Sequence, residues 1–188
     1  NEFIEAIMSI YTVLGAGHGG HALAALLKKH GHTVRLWNRT PGKLQSICEA
    51  GGINVSGQMV FHALLDVLTT NIGDAIKNAK IIFVVVPASA HSYIARSLAA
   101  HVKRDQTIIL NPGRTAGCLE FRNILIAHGC AELPVIMETQ SLFCACRAVR
   151  PGHVDILSFK MDNSISCIPN SRIEEVKDVL KLFYKNIV

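Results

Sequence analysis

Nowhere in the sequence do apolar residues run long enough to cross a bilayer. The longest run, Ile81–Ala88, already contains Pro87, with Lys80 and His91 close by, and a spanning helix needs roughly 20 such residues. No secretory signal is expected either, since Glu2 and Glu5 stand where such a segment would be basic. The six cysteines, at 48, 118, 130, 144, 146 and 167, include no CxxC and no even spacing. That excludes a disulfide scaffold and points to reduced thiols in a cytoplasmic protein. Lysine and arginine form no run, so no nucleic-acid surface is expected. Charged residues are few, 18% with a net charge of +5, against 49% apolar residues, which excludes intrinsic disorder. Fourteen glycines and six prolines are too few for collagen-like or low-complexity chains, and no internal repeat is present.

What remains is a chain of 188 residues, enough for one domain or a little more. Asn1–Ile7 is expected to be an extension ahead of a native start at Met8. Short β-branched runs then alternate with amphipathic stretches. Residues 9–14 read as a strand that ends in Gly15-Ala16-Gly17-His18-Gly19-Gly20. A helix over 21–30 closes on Lys28, Lys29 and His30, cations that suit its carbonyl end, with Gly31 placed to cap it. Residues 33–37 read as the second strand, and Thr40-Pro41 as a helix start. Short strands are expected at 53–55 and 67–69 around a turn at Gly57. Residues 81–86 form an apolar strand that must be covered on both faces. A helix over 89–102, a strand at 107–110, a helix over 115–128 and a last parallel strand at 135–138 follow. Residues 154–159 and 165–168 look like an antiparallel pair. Ser171-x-x-Glu174 reads as a capping box opening a closing helix, with Ile173, Val176, Leu180 and Phe183 on one face. Strand–helix alternation with short links predicts an α/β fold: a Rossmann-type doubly wound, mostly parallel sheet with a C-terminal antiparallel pair.

The G-x-G-x-x-G at 15–20 meets its contextual test, with a strand before it and a helix after. Gly15 permits the tight turn, Gly17 lets a pyrophosphate approach the backbone, and Gly20 lets helix and strand pack closely. Free N–H groups from His18 and Gly19 onward favour the anion. The second strand ends in Asn38-Arg39-Thr40, where sites that prefer NAD carry an acid. Arg39 can pair with a 2′-phosphate and Thr40 can donate to it, each charge-assisted contact contributing about 1.5–3 kcal/mol. NADP(H) is therefore the expected cofactor, with NAD(H) as the second choice. Ligands of such sheets lie beyond the carboxyl ends of the strands. This adds Pro87, Ala88 and His91 after one strand, Asn111, Pro112 and Gly113 after the next, and Glu138 on the last. No metal site is expected, because neither Cys144-x-Cys146 nor His18 with His21 finds further ligands at suitable spacing.

GAGHGGHALAA at 15–25, VVVPASAH at 84–91, ILNPGRTAG at 109–117 and ETQSLFCACR at 138–147 together resemble the octopine/nopaline (opine) dehydrogenase family, from Met8 to the C-terminus. Phe143 stands where the family more often has tyrosine, and Asn38-Arg39 departs from the acidic ending of its NADH-using members. The resemblance implies an oxidoreductase that reductively condenses an amino acid with a 2-oxo acid. It also implies a division into a cofactor domain over 8–170 and a helix over 171–188 leading to a helical substrate domain outside this chain. The catalytic acid/base residues would lie in that second domain, so none is assigned here. Leu182, Phe183 and Ile187 are expected to be exposed on the leading helix. Two other readings share the sheet and the glycine turn. One is a ketone or 2-oxo acid reductase of the dehydropantoate or glycerol-3-phosphate dehydrogenase type; the other is a non-catalytic nucleotide-sensing module.

Overall fold

The computed structural model describes residues 9–150 and 152–187; the expected start at Met8 and the extension before it lie outside the described residues. The elements run β1 (Ile10–Leu14), α1 (His18–Lys29), β2 (Thr33–Trp37), α2 (Pro41–Glu49), β3 (Ile53–Gly57), β4 (Phe61–Ala63), β5 (Val67–Thr69) and α3 (Ile72–Ile76). They continue with β6 (Ile81–Val84), α4 (His91–Leu98), β7 (Thr107–Leu110), α5 (Gly117–Ala127), β8 (Val135–Thr139) and β9 (Cys144–Arg150). β10 (His153–Phe159), β11 (Asp162–Asn163), β12 (Ile165–Ile168), α6 (Ile173–Leu180) and β13 (Asn186–Ile187) close the described chain.

The main sheet has seven strands in the order β12-β8-β7-β6-β1-β2-β5. All its pairings are parallel except β8 with β12. Successive side chains of a strand face opposite sides, and the core divides accordingly. Phe83, Ile109 and Met137 share one cluster with α1 and α6, whereas Ile82, Val84 and Ile108 share the other with Ile94, Leu98, Phe121 and Leu125 of α4 and α5. All four β6 residues are buried, as an apolar run covered on both faces should be.

A second sheet, β4-β3-β10-β9, packs on the other side of α1. It explains why Gly19 to Leu27 are all buried: this helix is apolar on every side because it is covered on every side. Its C-terminus is as expected, with Gly31 at φ +87° and its N–H donating to Lys28 O.

The structure redraws several local expectations. Residues 154–159 and 165–168 do not pair with each other. β10 pairs antiparallel with β9 and parallel with β3, and β12 pairs antiparallel with β8 at the edge of the main sheet. Gly57 does lead a turn, but the strand it returns is β4, while 67–69 joins β2. The helix expected at 89–102 is a 3₁₀ turn at Ala88–Ala90 followed by α4. No side chain caps α6, which begins at Ile173 after a 3₁₀ turn; Arg172 pairs with Glu175 instead of a Ser171–Glu174 box forming. Phe183 is 5% exposed, packed on Phe83 and Phe143 at 6.0 and 5.5 Å between ring centres. The chain turns after Leu180, and burying this ring contributes about 2–3 kcal/mol, which turns it inward.

Candidate functional site

A cavity of about 1030 Å³ opens at the carboxyl ends of the parallel strands. The glycine turn forms its floor. Gly15 has φ +115°, and a Cβ there would meet Val85 O at 2.5 Å; a Cβ on Gly20 would strike the Gly15 carbonyl. These two glycines are demanded by the fold, consistent with the roles expected for a tight turn and close helix–strand packing. Gly17 differs: its backbone is extended, and a Cβ there would meet nothing within 4 Å. Its lack of a side chain leaves room on the cavity side. Gly17 is also the N-cap of α1, which no side chain caps, so the first-turn N–H groups face this space. His21 is buried and its ring Nδ1 bonds Gly17 O at 2.9 Å. Burial holds its pKa below the ordinary value, so the neutral ring donates there.

His18, exposed on the cavity, accepts the Ala148 N–H on Nδ1 at 2.8 Å and so ties α1 to β9. Lys43, Arg114 and Arg150 add positive charge to the lining, which contains no carboxylate among the described residues. Such a cavity suits an anionic ligand.

Of the residues singled out from sequence, Gly17, His18, Gly19, Pro87, Ala88, Asn111 and Pro112 line the cavity. The others lie behind or beside it. Asn38 is engaged by its neighbours, accepting the Ala16 N–H on Oδ1 at 3.1 Å and donating to Thr40 O at 2.9 Å and Thr40 Oγ1 at 3.1 Å. Arg39 is exposed with its guanidinium 5.3 Å from the Tyr93 ring centre. His91 is 1% exposed and stands edge-on to Phe121; burial pushes its pKa down. Glu138 accepts the Cys118 N–H at 2.8 Å and the Ser166 hydroxyl at 3.0 Å, so its carboxylate caps α5 from across the sheet. A Cβ on Gly113 would strike Glu138, which explains the glycine there.

Sequence reasoning missed Lys43, Ser141, Cys146 and Arg150. Lys43 gave no signal beyond its place in the first turn of α2. For β9 the signal was present, because Cys146, Ala148 and Arg150 recur at the strand period of two and all line the cavity. Cys144 is buried; its coupling to the neighbouring Cys146 thiol pushes the Cys144 pKa up and the Cys146 pKa down.

Fold and site together define a Rossmann-type nucleotide-binding domain. The family model for the NAD-dependent glycerol-3-phosphate dehydrogenase N-terminus matches residues 10–114, more than half of the chain, and the chain belongs to that family. The expected likeness to opine dehydrogenases is also found. An opine dehydrogenase of Arthrobacter sp. (strain 1C) is 40% identical over 175 residues, covering 90% of this chain and 48% of that protein. A glycerol-3-phosphate dehydrogenase [NAD(P)+] of Pectobacterium carotovorum subsp. carotovorum (strain PC1) is 35% identical over 100 residues, 52% of this chain and 29% of that one. The fold matches an octopine dehydrogenase solved with NADH and pyruvate at a TM-score of 0.82 and 22% identity, covering 95% of this chain and 49% of that one. The chain thus spans about half or less of these proteins' length. Among the described residues no helix is long and apolar enough to cross a membrane.

Proposed function

We propose that this chain is the cofactor-binding half of a cytoplasmic opine-dehydrogenase-like oxidoreductase, holding NADP(H) in preference to NAD(H). The observation that carries the reading is Gly17: an extended backbone position with open space where a Cβ would stand, at the uncapped start of α1, facing a cavity lined by Lys43, Arg114 and Arg150. The first-turn N–H groups of His18 and Gly19 hold the pyrophosphate. Asn38, Arg39 and Thr40 shape the adenosine end, and Lys43 supplies charge to it. Pro87, Ala88, Asn111 and Pro112 form the wall for the nicotinamide end. Gly15, Gly20, Gly113, His91 and Glu138 hold these walls in place from behind. The nicotinamide supplies hydride chemistry when bound. The substrates are an amino acid and a 2-oxo acid, bound with a helical domain that follows α6 and the turn after it and that also carries the acid/base group. Six unpaired thiols suit the cytoplasm.

The family match over 10–114 favours a second reading, a reductase of the glycerol-3-phosphate dehydrogenase type. Assay of a polypeptide carrying this chain with its C-terminal domain separates the two. Oxidation of NADPH that requires both an amine and a 2-oxo acid supports the first. Oxidation by dihydroxyacetone phosphate or ketopantoate without any amine overturns it.

A further inference from the structure

Asn111 follows β7 in the wall of the cavity and is fully buried. Its Nδ2 donates to the Tyr184 hydroxyl at 3.0 Å, and that hydroxyl donates to Ser141 O at 3.1 Å. The hydroxyl's bond to the Ser141 carbonyl sets both directions. A carbonyl only accepts, so the single Tyr184 proton lies on the Ser141 side. The Tyr184 oxygen can then only accept from Asn111, and the amide turns its nitrogen toward Tyr184. The Ser141 end is held as well: its N–H donates to Asn163 Oδ1 at 3.2 Å, and Asn163 Nδ2 donates to its carbonyl at 2.8 Å. Asn111 Oδ1 is left as a buried acceptor without a partner among the described residues. An unpaired buried acceptor is costly, and one held in a cavity wall calls for a ligand donor.

Strand order identifies that donor. β1 carries the glycine turn, β2 lies to one side, and β6 and β7 lie to the other. In this fold class a dinucleotide crosses the crevice over these strand ends, its adenosine toward β2. The nicotinamide half then falls toward β6 and β7, where Asn111 stands, and its carboxamide –NH2 is the donor at hand.

We propose that Tyr184 orients Asn111 so that Oδ1 accepts from the nicotinamide carboxamide, making the pair a selector for an amide over a ketone at that ring position. Tyr184 is a positioning residue, acting through Asn111. The inference rests on the reading of the cavity as a nicotinamide-dinucleotide site. The test is calorimetric titration of the chain with NADP+, its thionicotinamide analogue, which keeps the –NH2, and its 3-acetylpyridine analogue, which replaces –NH2 by methyl. The thio analogue should bind within about threefold of NADP+, and the acetyl analogue about ten- to a hundredfold more weakly. In Tyr184→Phe and in Asn111→Leu the acetyl-to-amide ratio should fall to within about threefold. A merely structural role would weaken all three ligands in proportion and leave the ratio alone. Failure of the unaltered chain to discriminate, or an unchanged ratio in both variants, overturns the inference while leaving the cofactor site standing. Binding of none of the three overturns both. A variant that does not fold leaves the decision to the other and to the unaltered chain's own ratio.

Discussion

Asn38 Oδ1 accepts the Ala16 N–H at 3.1 Å, joining the end of β2 to the glycine turn across 22 residues of sequence. The same amide donates to Thr40 O and Oγ1, so it is occupied on both sides. An aspartate at 38 could still accept from Ala16, but it would set a negative oxygen against the Thr40 carbonyl.

The two neighbouring residues should therefore respond differently. Asn38→Asp should cost about 1–2 kcal/mol of stability and weaken both dinucleotides together. Arg39→Ala should weaken NADPH about ten- to a hundredfold and change NADH by no more than about threefold, through loss of one charge-assisted contact. The ratio of dissociation constants at fixed, moderate salt checks this, because salt screens an exposed pair. An unchanged ratio means that the arginine serves only to stack on Tyr93.

The parallel sheet and the glycine turn were legible because each rests on local pattern. Ile81–Val84 is apolar throughout, and only certain residues fit a turn at φ +115°. The second sheet was not legible, since it forms only when β10 joins β9 to β3, a strand far away in sequence, and packs on α1. Phe183 was misplaced for another reason: the segment was read as a helix leading away to a further domain, whereas the helix ends at Leu180 and the ring folds back onto Phe83 and Phe143. At the site, sequence could find residues that follow strands. It could not tell that Glu138 caps a helix or that Asn111 pairs with Tyr184, because those partners are 20 and 73 residues away.

Acid should destabilise the fold well above the range in which carboxylates titrate. Burial lowers the pKa of His21, His32 and His91, so all three are neutral when folded. The unfolded chain protonates near pH 6.5. Their contribution is therefore complete above about pH 6.5 and is lost as pH falls toward the lower folded-state values. Asp66 acts lower: burial alone would raise its pKa, but Lys28 and the Val34 N–H more than offset that. The urea midpoint should fall between pH 7.5 and 5.5, and His32→Phe should reduce that fall, since His32 packs on Tyr11 and its Nδ1 has no partner among the described residues. A midpoint that rises on acidification contradicts the assignment.

The thiols should separate by reactivity. Cys48 is exposed, and Cys146 lines the cavity with its pKa lowered by coupling to the Cys144 thiol. Cys118, Cys144 and Cys167 are buried, with their pKa values raised. Brief treatment with iodoacetamide at pH 7.5 should alkylate Cys48 and Cys146 and spare those three. Saturating NADPH should protect Cys146 without protecting Cys48. Peptide mass spectrometry reads both, and equal protection of the two would separate Cys146 from the ligand.

The central claim is that the open space at Gly17 holds the pyrophosphate, and Gly17→Val measures it. Valine tolerates the extended backbone at this position, and its Cβ meets no atom of the described residues within 4 Å, so stability should fall by no more than about 1 kcal/mol, the cost of a poorer N-cap residue. By contrast, Gly20→Ala, whose methyl would strike the Gly15 carbonyl, should cost about 3 kcal/mol or more. The decisive experiment is calorimetric titration of the unaltered chain and of Gly17→Val with NADPH and NADH. The account predicts that the unaltered chain binds both, NADPH more tightly, and that the folded variant binds neither. A folded Gly17→Val that binds NADPH as tightly as its parent would contradict it.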